Sequence, residues 1–317
     1  MSPESKPLDE FGLIGWIRSR TKSRSQTIRG IGDDCAQLRP SPGSDLLITT
    51  DMLMDGRHFE LAVAGPRAVG YKALGVNLSD IAAMAGIPTA AVIAVSLPRR
   101  DAISVAQGLH DGLSELAERF GVDLVGGDTN AWDGPLVISI TLLGQTTERG
   151  PVLRTGAKPG DLIYVTGPLG GSLAGRHLRP EPRVAEALAL HEAVGLHALV
   201  DISDGVAADL GHILEESGNL GAILDAGRIP IHTDVEFESL RDGRSPLEHA
   251  LHDGEDFELC FTIAPEDASR LEALRLPSIV LHQIGLVTAE PSLRLRTEGD
   301  QVVPLEARGF NHLHPSP

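Results

Sequence analysis

Apolar positions recur with a helical period in the first half of the chain, and short apolar runs surround these segments. Between residues 101 and 120, apolar side chains lie three and four positions apart, which predicts an amphipathic helix ended by Gly121. Residues 66–85 predict another helix, with Gly86 as its stop signal and Pro88 beyond it. Strands are predicted at 46–50, 90–97, 123–125 and 136–144. Helices interleaved with strands indicate an α/β fold in which helices cover mixed sheets.

Turn-forming residues cluster between 146 and 160 and predict a domain boundary after residue 148. Two domains, 1–148 and 149–317, agree with the chain length, because one hydrophobic core rarely grows through about 300 residues. In the second domain, a helix is predicted from Ser203 or Asp204 to Ser217, and the stretch 229–250 is predicted to be irregular. His249, in that stretch, is predicted to be a solvated loop histidine. Further strands are predicted at 162–166, 259–263 and 279–286.

Composition limits the partners of the chain. The sequence has 27 Lys and Arg against 44 Asp and Glu, and this net charge of −17 would repel nucleic acid and anionic membranes. Cys35 and Cys260 are the only cysteines and lie 225 positions apart, so no disulfide framework or Cys-based metal site is expected. Residues 81–98 carry no charge, but Gly86 and Pro88 divide them into a helix end and a strand. The N-terminus lacks the apolar stretch of a signal peptide, so we expect a cytoplasmic protein.

Aspartates beside Gly, Ser or Thr recur at the ends of predicted elements, although aspartate is depleted in strands. Any one of them could form a local turn or cap a helix, as Asp204 could cap the helix that follows it. Together they could instead hold cations, because their carboxylate, hydroxyl and carbonyl oxygens suit Mg²⁺, Mn²⁺ or Ca²⁺. The segments are Gly30–Asp34, Thr49–Asp51, Asn77–Asp80, Gly126–Thr129, Asp201–Gly205 and Gly254–Asp256.

The remaining motifs favour phosphoryl transfer. Gly167–Gly175 lacks the ending of a Walker A loop, so it is either a backbone nest for an anion or a plain tight turn. No nucleophile elbow occurs, and Cys35 follows two aspartates, which is a poor setting for a nucleophile. Hard cations without an evident nucleophile or base suit phosphoryl transfer, in which the protein positions groups and neutralises charge.

Eight motifs are spread along most of the chain: G-I-G-D-D-C-A, T-T-D, G-x-H-F, Y-K-A-L-x-V-N-L-S-D-I-A-A-M, G-G-D-T, R-T-G-A-K-P-G-D, D-I-S-D-G-x-x-x-D-L-G-H-I and G-E-D-F-E-L. Together they resemble the thiamine-monophosphate kinases, a family related to aminoimidazole ribonucleotide synthetase. The resemblance implies a two-domain α/β fold like that synthetase, with an N-terminal domain that binds metal and ATP and dimerises. The C-terminal domain would close over nucleotide and substrate. The implied reaction is ATP-dependent phosphorylation of thiamine monophosphate to thiamine diphosphate, assisted by several Mg²⁺ ions.

The resemblance also assigns roles to individual residues. The implied metal ligands are Asp34, Thr49, Thr50, Asp51, Asp80, Asp128, Asp201 and Asp204, with Asp33 as a further candidate. The implied ATP contacts are Gly127, Asp128, Arg154 and Ser203. The implied substrate contacts are His58, Glu255 and Phe310. Relatives commonly dimerise through their N-terminal sheets, so a homodimer is expected.

We expect direct in-line transfer without a catalytic base or a phosphoenzyme, because a phosphate acceptor is already largely dianionic near neutral pH. Other members of the wider family remain alternatives. Selenophosphate synthetase needs a reactive Cys or selenocysteine near its N-terminus, and the hydrogenase-maturation carbamoyl dehydratase ends in Cys, whereas this chain ends in P-S-P. Aminoimidazole ribonucleotide synthetase uses ATP for ring closure. From a different class, a non-catalytic acidic module would bind Mg²⁺ or Ca²⁺ without turnover.

Overall fold

The computed structural model describes residues 10–22, 24, 26–31, 36–274, 276 and 279–309. The chain divides into two compact units, one formed by Met1–Leu78 and Ile87–Glu148 and the other by Ser79–Gly86 and Arg149–Pro317. The segment Ser79–Gly86 thus groups with the second unit, although it precedes residue 148. Among the described helices, none combines the length and the apolar character that a bilayer span requires.

The first unit combines helices with a mixed sheet. Its described elements are α1 (Glu10–Arg20), β1 (Thr27–Arg29), β2 (Gln37–Leu38), β3 (Leu46–Met54), α2 (Leu61–Ala83, whose last turns belong to the second unit), β4 (Ile87–Pro98), α3 (Ala102–Phe120), β5 (Asp123–Trp132) and β6 (Val137–Gln145). The sheet has the order β3-β6-β4-β5. β6 pairs antiparallel with β3 and β4, and β4 pairs parallel with β5. β1 and β2 pair with each other in a separate antiparallel ribbon.

The α3 helix confirms the pattern that predicted it. Leu109 and Leu116 of its apolar stripe are buried, and Gly121 ends the helix in a left-handed conformation with φ 76°. Gly112, one of two glycines within the helix, explains how closely α3 packs on α2. A Cβ at Gly112 would lie 1.9 Å from the carbonyl oxygen of Arg67, so only glycine permits this approach of the two helices.

The two faces of β3 differ in their surroundings. Leu47 and Leu53 point to the covered face of the sheet and are buried. The other face of the strand is both apolar and exposed, with side chains between 41% and 63% accessible, and it carries Leu46, Ile48, Met52 and Met54. An exposed apolar strand face of this kind usually marks an interaction surface.

The second unit is built around a larger mixed sheet. Its described elements are β7 (Leu162–Val165), α4 (Val184–Ala193), β8 (Leu196–Asp201), α5 (Val206–Glu216), β9 (Gly221–Asp225), α6 (Val235–Asp242), α7 (Pro246–His252), β10 (Leu259–Ile263), α8 (Ala268–Ala273), β11 (His282–Thr288), β12 (Leu293–Arg296) and β13 (Val302–Pro304). The strand order is β13-β12-β9-β11-β7-β10-β8, with β12 and β9 parallel and the other described pairs antiparallel. Ile163, Val200 and Cys260 of the sheet share the core with Leu210 and Ile213 of α5.

Several sequence-based boundaries were wrong. β3 and β5 continue to Met54 and Trp132, because their pairing with β6 and β4 continues through the acidic motifs. The stretch 229–250, predicted to be irregular, contains α6 and most of α7. A capping box begins α7, since the Ser245 hydroxyl accepts from the Glu248 amide while the Glu248 carboxylate accepts from the Ser245 amide. α1 and α4 were not predicted at all.

Candidate active site

Three candidate metal ligands lie in the middle of β3, where strand alternation separates their side chains. Thr49 and Asp51 point to the covered face, opposite Leu142 and Ile140 of β6. Thr50 points to the exposed face, and its hydroxyl donates to the carbonyl oxygen of Ile140 at 3.0 Å. The hydroxyl of Thr50 is therefore placed away from Asp51, and its role as a metal ligand stays a prediction.

Gly127 and Asp128 lie within the edge strand β5, not beyond a strand end as the sequence suggested. They pair with Ile93 and Ala94 of the parallel strand β4. A Cβ at Gly127 would lie 1.9 Å from the carbonyl oxygen of Ile93, so close strand packing is one reason for glycine here. The Asp128 side chain is exposed on this edge.

His58 follows β3 in a turn that is fixed from two sides. Its Nδ1 accepts a hydrogen bond from the Met54 amide at 3.0 Å, so the neutral ring carries its proton on Nε2. The fully buried Lys72 of α2 donates from Nζ to the His58 carbonyl oxygen at 2.6 Å. The sequence places Lys72 in one of the eight motifs but gives no sign of this contact, which depends on the packing of α2 against the turn.

In the second unit, Asp201 ends β8 and is nearly buried, at 3% exposure. The hydroxyl of Ser79 donates to Asp201 Oδ2 at 2.7 Å. Asp80 follows Ser79 in the last turns of α2 and is half-buried. This bond ties the segment that carries Asp80 to the end of β8.

A buried aspartate missed by sequence reasoning holds the loop after β8. Asp209 lies in the first turn of α5, and its Oδ2 accepts from the amides of Ser203 at 3.1 Å and Asp204 at 3.0 Å. Gly205 occupies the N-cap position of α5 without a side-chain cap, so Asp204 does not cap the helix as it could have done. Burial, followed by the charge of Asp201, raises the pKa of Asp209 to about 8.

Glu255 lies between two loops, each of which contacts its backbone. Its amide donates to the Ser203 carbonyl oxygen at 2.7 Å, and its own carbonyl oxygen accepts from the Ser172 hydroxyl at 2.6 Å. Its φ of 63° is left-handed, which is uncommon for a residue with a side chain. Ser203 and Glu255, predicted as ATP and substrate contacts, are therefore brought together by a direct backbone hydrogen bond.

The glycine-rich loop 167–175 is lined by carboxylates. The Gly170 amide donates to Asp256 Oδ2 at 2.7 Å, and a Cβ at Gly167 would lie 2.6 Å from Glu258 Oε1. Burial raises the pKa of Asp256 to about 7, against the opposing effect of the Gly170 amide and the Arg176 guanidinium. An amide already bonded to a buried carboxylate favours the tight turn over the anion nest.

Arg154 lies in a different part of the unit from Ser203. The neighbouring amides of Gly156 and Ala157 donate to the Ser217 hydroxyl, just after the C-terminal end of α5. Ser203 precedes the N-terminal end of the same helix. A shared nucleotide contact of Arg154 and Ser203 stays a prediction. Asp33, Asp34 and Phe310 lie outside the described residues.

His249 corrects another expectation, because it is a helical residue of α7 with no solvent exposure. Its Nδ1 lies 2.7 Å from Asp253 Oδ2, and Arg244 contacts the same carboxylate. Within the described chain, no three His, Cys, Asp or Glu side chains are grouped so as to hold one metal ion.

Comparisons with known proteins place this geometry in a family. Residues 32–146 match the N-terminal domain of AIR synthase related proteins, and residues 158–298 match their C-terminal domain. A thiamine-monophosphate kinase of Rhodopirellula baltica is 40% identical over 310 residues, covering 96% of this chain and 97% of the relative. The crystal structure of thiamine-monophosphate kinase from Stenotrophomonas maltophilia is 36% identical, with a TM-score of 0.79 over 91% of this chain and 96% of that one.

A further solved structure, AaThiL complexed with AMPPCP and TMP, is 31% identical with a TM-score of 0.74 and covers 99% of this chain and 100% of its own. These matches confirm the mixed α/β fold and the resemblance seen in the motifs. They extend over both units and over the relatives' full length. The chain therefore belongs to the thiamine-monophosphate kinase family of the AIR synthase related proteins.

Proposed function

We propose that this protein transfers the γ-phosphate of ATP to thiamine monophosphate and so produces thiamine diphosphate, as a step of thiamine biosynthesis. The observation that carries the proposal is the match over 99% of the chain to a relative complexed with AMPPCP and TMP. We also propose that it works in the cytoplasm, where ATP is supplied.

Mg²⁺ fits the donors that the chain offers. The candidate side chains are all carboxylates and hydroxyls, which Mg²⁺ prefers, and it usually combines one or two carboxylates with substrate phosphates. Burial is the main cause of the raised pKa of Asp209, and the negative charges of Asp201 and Asp204 raise it further. A cation bound nearby would relieve this second, electrostatic contribution. When bound, Mg²⁺ would neutralise the negative charges of the ATP and acceptor phosphates. The proposed ligands are Asp34, Thr49, Thr50, Asp51, Asp80, Asp128, Asp201 and Asp204.

The chain's own residues bind and orient the substrates. With Nδ1 occupied by the Met54 amide, the neutral His58 ring presents a donor at Nε2, which suits a phosphate oxygen of the acceptor. Glu255 and Phe310 are the other proposed substrate contacts, and Gly127, Asp128, Arg154 and Ser203 the proposed ATP contacts. The acceptor phosphate has a second pKa of about 6, so no residue has to remove a proton before in-line attack.

The activity is tested by incubating the protein with Mg²⁺, ATP and thiamine monophosphate and measuring thiamine diphosphate and ADP. We expect the two products in equal amounts. Turnover only with another phosphorylated acceptor would move the assignment within the family, and ion binding without any turnover would favour the non-catalytic module. A phosphorylated protein trapped after ATP alone would contradict direct transfer.

We further propose that the protein is a homodimer that buries the exposed face of β3. Ile48 and Met52 of that face are 63% and 57% exposed, which is costly for side chains of this size. Light scattering should give twice the chain mass for the natural protein and a smaller mass for Ile48→Lys. Lys at the already exposed Val302 of β13 is the matched control and should leave the mass unchanged. A natural protein with the mass of one chain would contradict the dimer.

A further inference from the structure

The segment that carries Glu255 adopts an unfavourable backbone conformation. Glu255 and Phe257 both have left-handed φ angles, 63° and 53°, although neither is a glycine. Such conformations cost free energy and persist only where the surroundings impose them. Two of them on either side of Asp256 indicate that Asp256 is the point at which the segment is held.

Asp256 is held by polar contacts at both of its carboxylate oxygens. Its side chain has no exposure, Oδ2 accepts from the Gly170 amide at 2.7 Å, and Oδ1 accepts from Arg176 Nη2 at 3.1 Å. The same Nη2 donates to the Gly170 carbonyl oxygen at 2.9 Å. One carboxylate, one guanidinium and the backbone of Gly170 therefore fix each other's positions.

These contacts lie one residue from a proposed substrate contact. The Glu255 backbone is bonded on one side to Ser203 and on the other to Ser172, which belongs to the same glycine-rich loop as Gly170. A shift of Asp256 away from Gly170 would thus move Glu255 relative to both loops. Stability alone does not account for the pair, because a buried ion pair seldom stabilises more than apolar residues of the same volume.

We propose that Arg176 and Asp256 are a positioning pair, which does not touch substrate and which orients Glu255 for the phosphate acceptor. The inference rests on the proposed function of Glu255 as a substrate contact. A second buried ion pair, between Arg183 and Glu258, has a different role. Arg183 contacts both oxygens of Glu258, at 2.9 and 2.5 Å, but Glu258 precedes the regular strand β10 and accepts from Thr166, so that pair holds the sheet.

The test compares Michaelis constants for the two substrates in Arg176→Lys and Asp256→Asn. Lysine keeps the charge but lacks the planar guanidinium, and asparagine loses one of the two acceptor oxygens. We expect the KM for thiamine monophosphate to rise about tenfold in each, by loss of a uniform binding contribution, and the KM for ATP to change less than twofold. Isothermal titration with thiamine monophosphate alone should show the same tenfold loss. Arg296→Met, which removes the Arg296–Asp225 pair at 2.9 Å in β12, is the matched control and should alter neither KM.

A double-mutant cycle identifies the route of the effect. If the pair acts through Glu255, Asp256→Asn should add less than a twofold change in the Glu255→Gln background. Equal changes in both Michaelis constants, or a full tenfold change in the Glu255→Gln background, would overturn the positioning role. If Asp256→Asn does not fold, Arg176→Lys carries the same cycle. A natural protein without turnover would overturn the proposed function and the pair together, whereas normal turnover with unchanged Michaelis constants in the variants would overturn the pair alone.

Discussion

The two units hold their candidate residues in different ways. In the first unit, Thr49, Asp51 and Asp128 lie within regular strands, where pairing with β6 and β4 determines which way each side chain points. In the second unit, Ser203 and Glu255 lie on irregular loops that buried carboxylates and cross-loop hydrogen bonds keep in place. The difference predicts that substitutions act locally in the first unit and spread through shared contacts in the second.

The buried carboxylates of the second unit form one connected group. Asp209 accepts from the amides of Ser203 and Asp204, and Ser203 in turn accepts from Glu255. The neighbouring Asp256 contacts the glycine-rich loop. Because each loop is bonded to the next, loss of one acceptor there exposes or shifts several backbone groups at once.

The largest expected effect comes from Asp201→Asn. The amide keeps an acceptor for the Ser79 hydroxyl, which now bonds Oδ2 at 2.7 Å, but it removes a proposed metal ligand. We expect turnover to fall about 100-fold or more at saturating substrate, since electrostatic groups at phosphoryl transfer sites contribute about that much.

The control for this variant is Asp123→Asn in the first unit. Asp123 is equally buried, but it anchors Arg24 and Thr27 and has no proposed part in the reaction. Asp123→Asn should lower thermal stability with little change in turnover, whereas Asp201→Asn should lower turnover with little change in thermal stability. Near-normal turnover in Asp201→Asn would contradict the role of Asp201 as a metal ligand and leave it only a structural role at the end of β8.

A smaller effect is expected on the pH dependence of stability. Asp209 has a folded pKa of about 8, against about 4 in an unfolded chain. The contribution of Asp209 to the free energy of unfolding is therefore fully present below about pH 4 and is lost as the pH rises through 8. Between pH 6 and 9, without Mg²⁺, this group should reduce the free energy of unfolding by about 3 kcal/mol.

Urea unfolding of the natural protein and of Asp209→Asn at both pH values measures this difference. The amide cannot ionise, so the variant should lose less stability than the natural protein between pH 6 and 9. Asp256, with its pKa raised to about 7, remains in both proteins and so cancels in the comparison. Parallel pH profiles for the two proteins would show that Asp209 does not titrate in this range.

Sequence reasoning found the acidic motifs and missed what holds them. The helix α3 and the strand cores were predictable because their signals, an apolar stripe and a glycine stop, are local. Asp209 and Lys72 carry no local signal, because their roles depend on burial that only tertiary packing creates. Asp256 was found as part of Gly254–Asp256, but its contacts with Gly170 and Arg176 were not. The α7 helix could have been found, since Ser245 and Glu248 form a capping box in sequence.

The strand ends were mistaken for a related reason. The aspartates at 51 and 128 looked like strand terminators because isolated propensity disfavours aspartate in strands. In the structure, the pairing of Asp51 with Ile140 and of Asp128 with Ala94 continues through them. Side-chain alternation along β3 places Thr49 on the face of Asp51 and Thr50 on the other face, as the sequence already indicates.

The smallest expected effect separates these two threonines. Valine has the shape and strand propensity of threonine, so Thr49→Val and Thr50→Val remove one hydroxyl each with little change in packing. Thr49 shares the covered face with Asp51, whereas the Thr50 hydroxyl already bonds the Ile140 carbonyl oxygen on the other face. We expect Thr49→Val to raise the Mg²⁺ concentration needed for half-maximal activity about tenfold more than Thr50→Val does, which is the lower end of the effect of residues that support a metal site. The two Mg²⁺ titrations, run at saturating ATP, measure this directly. A larger effect at Thr50 would mean that strand alternation does not decide which residues of the first unit serve the reaction. The contrast drawn between the two units would then be wrong for the first unit.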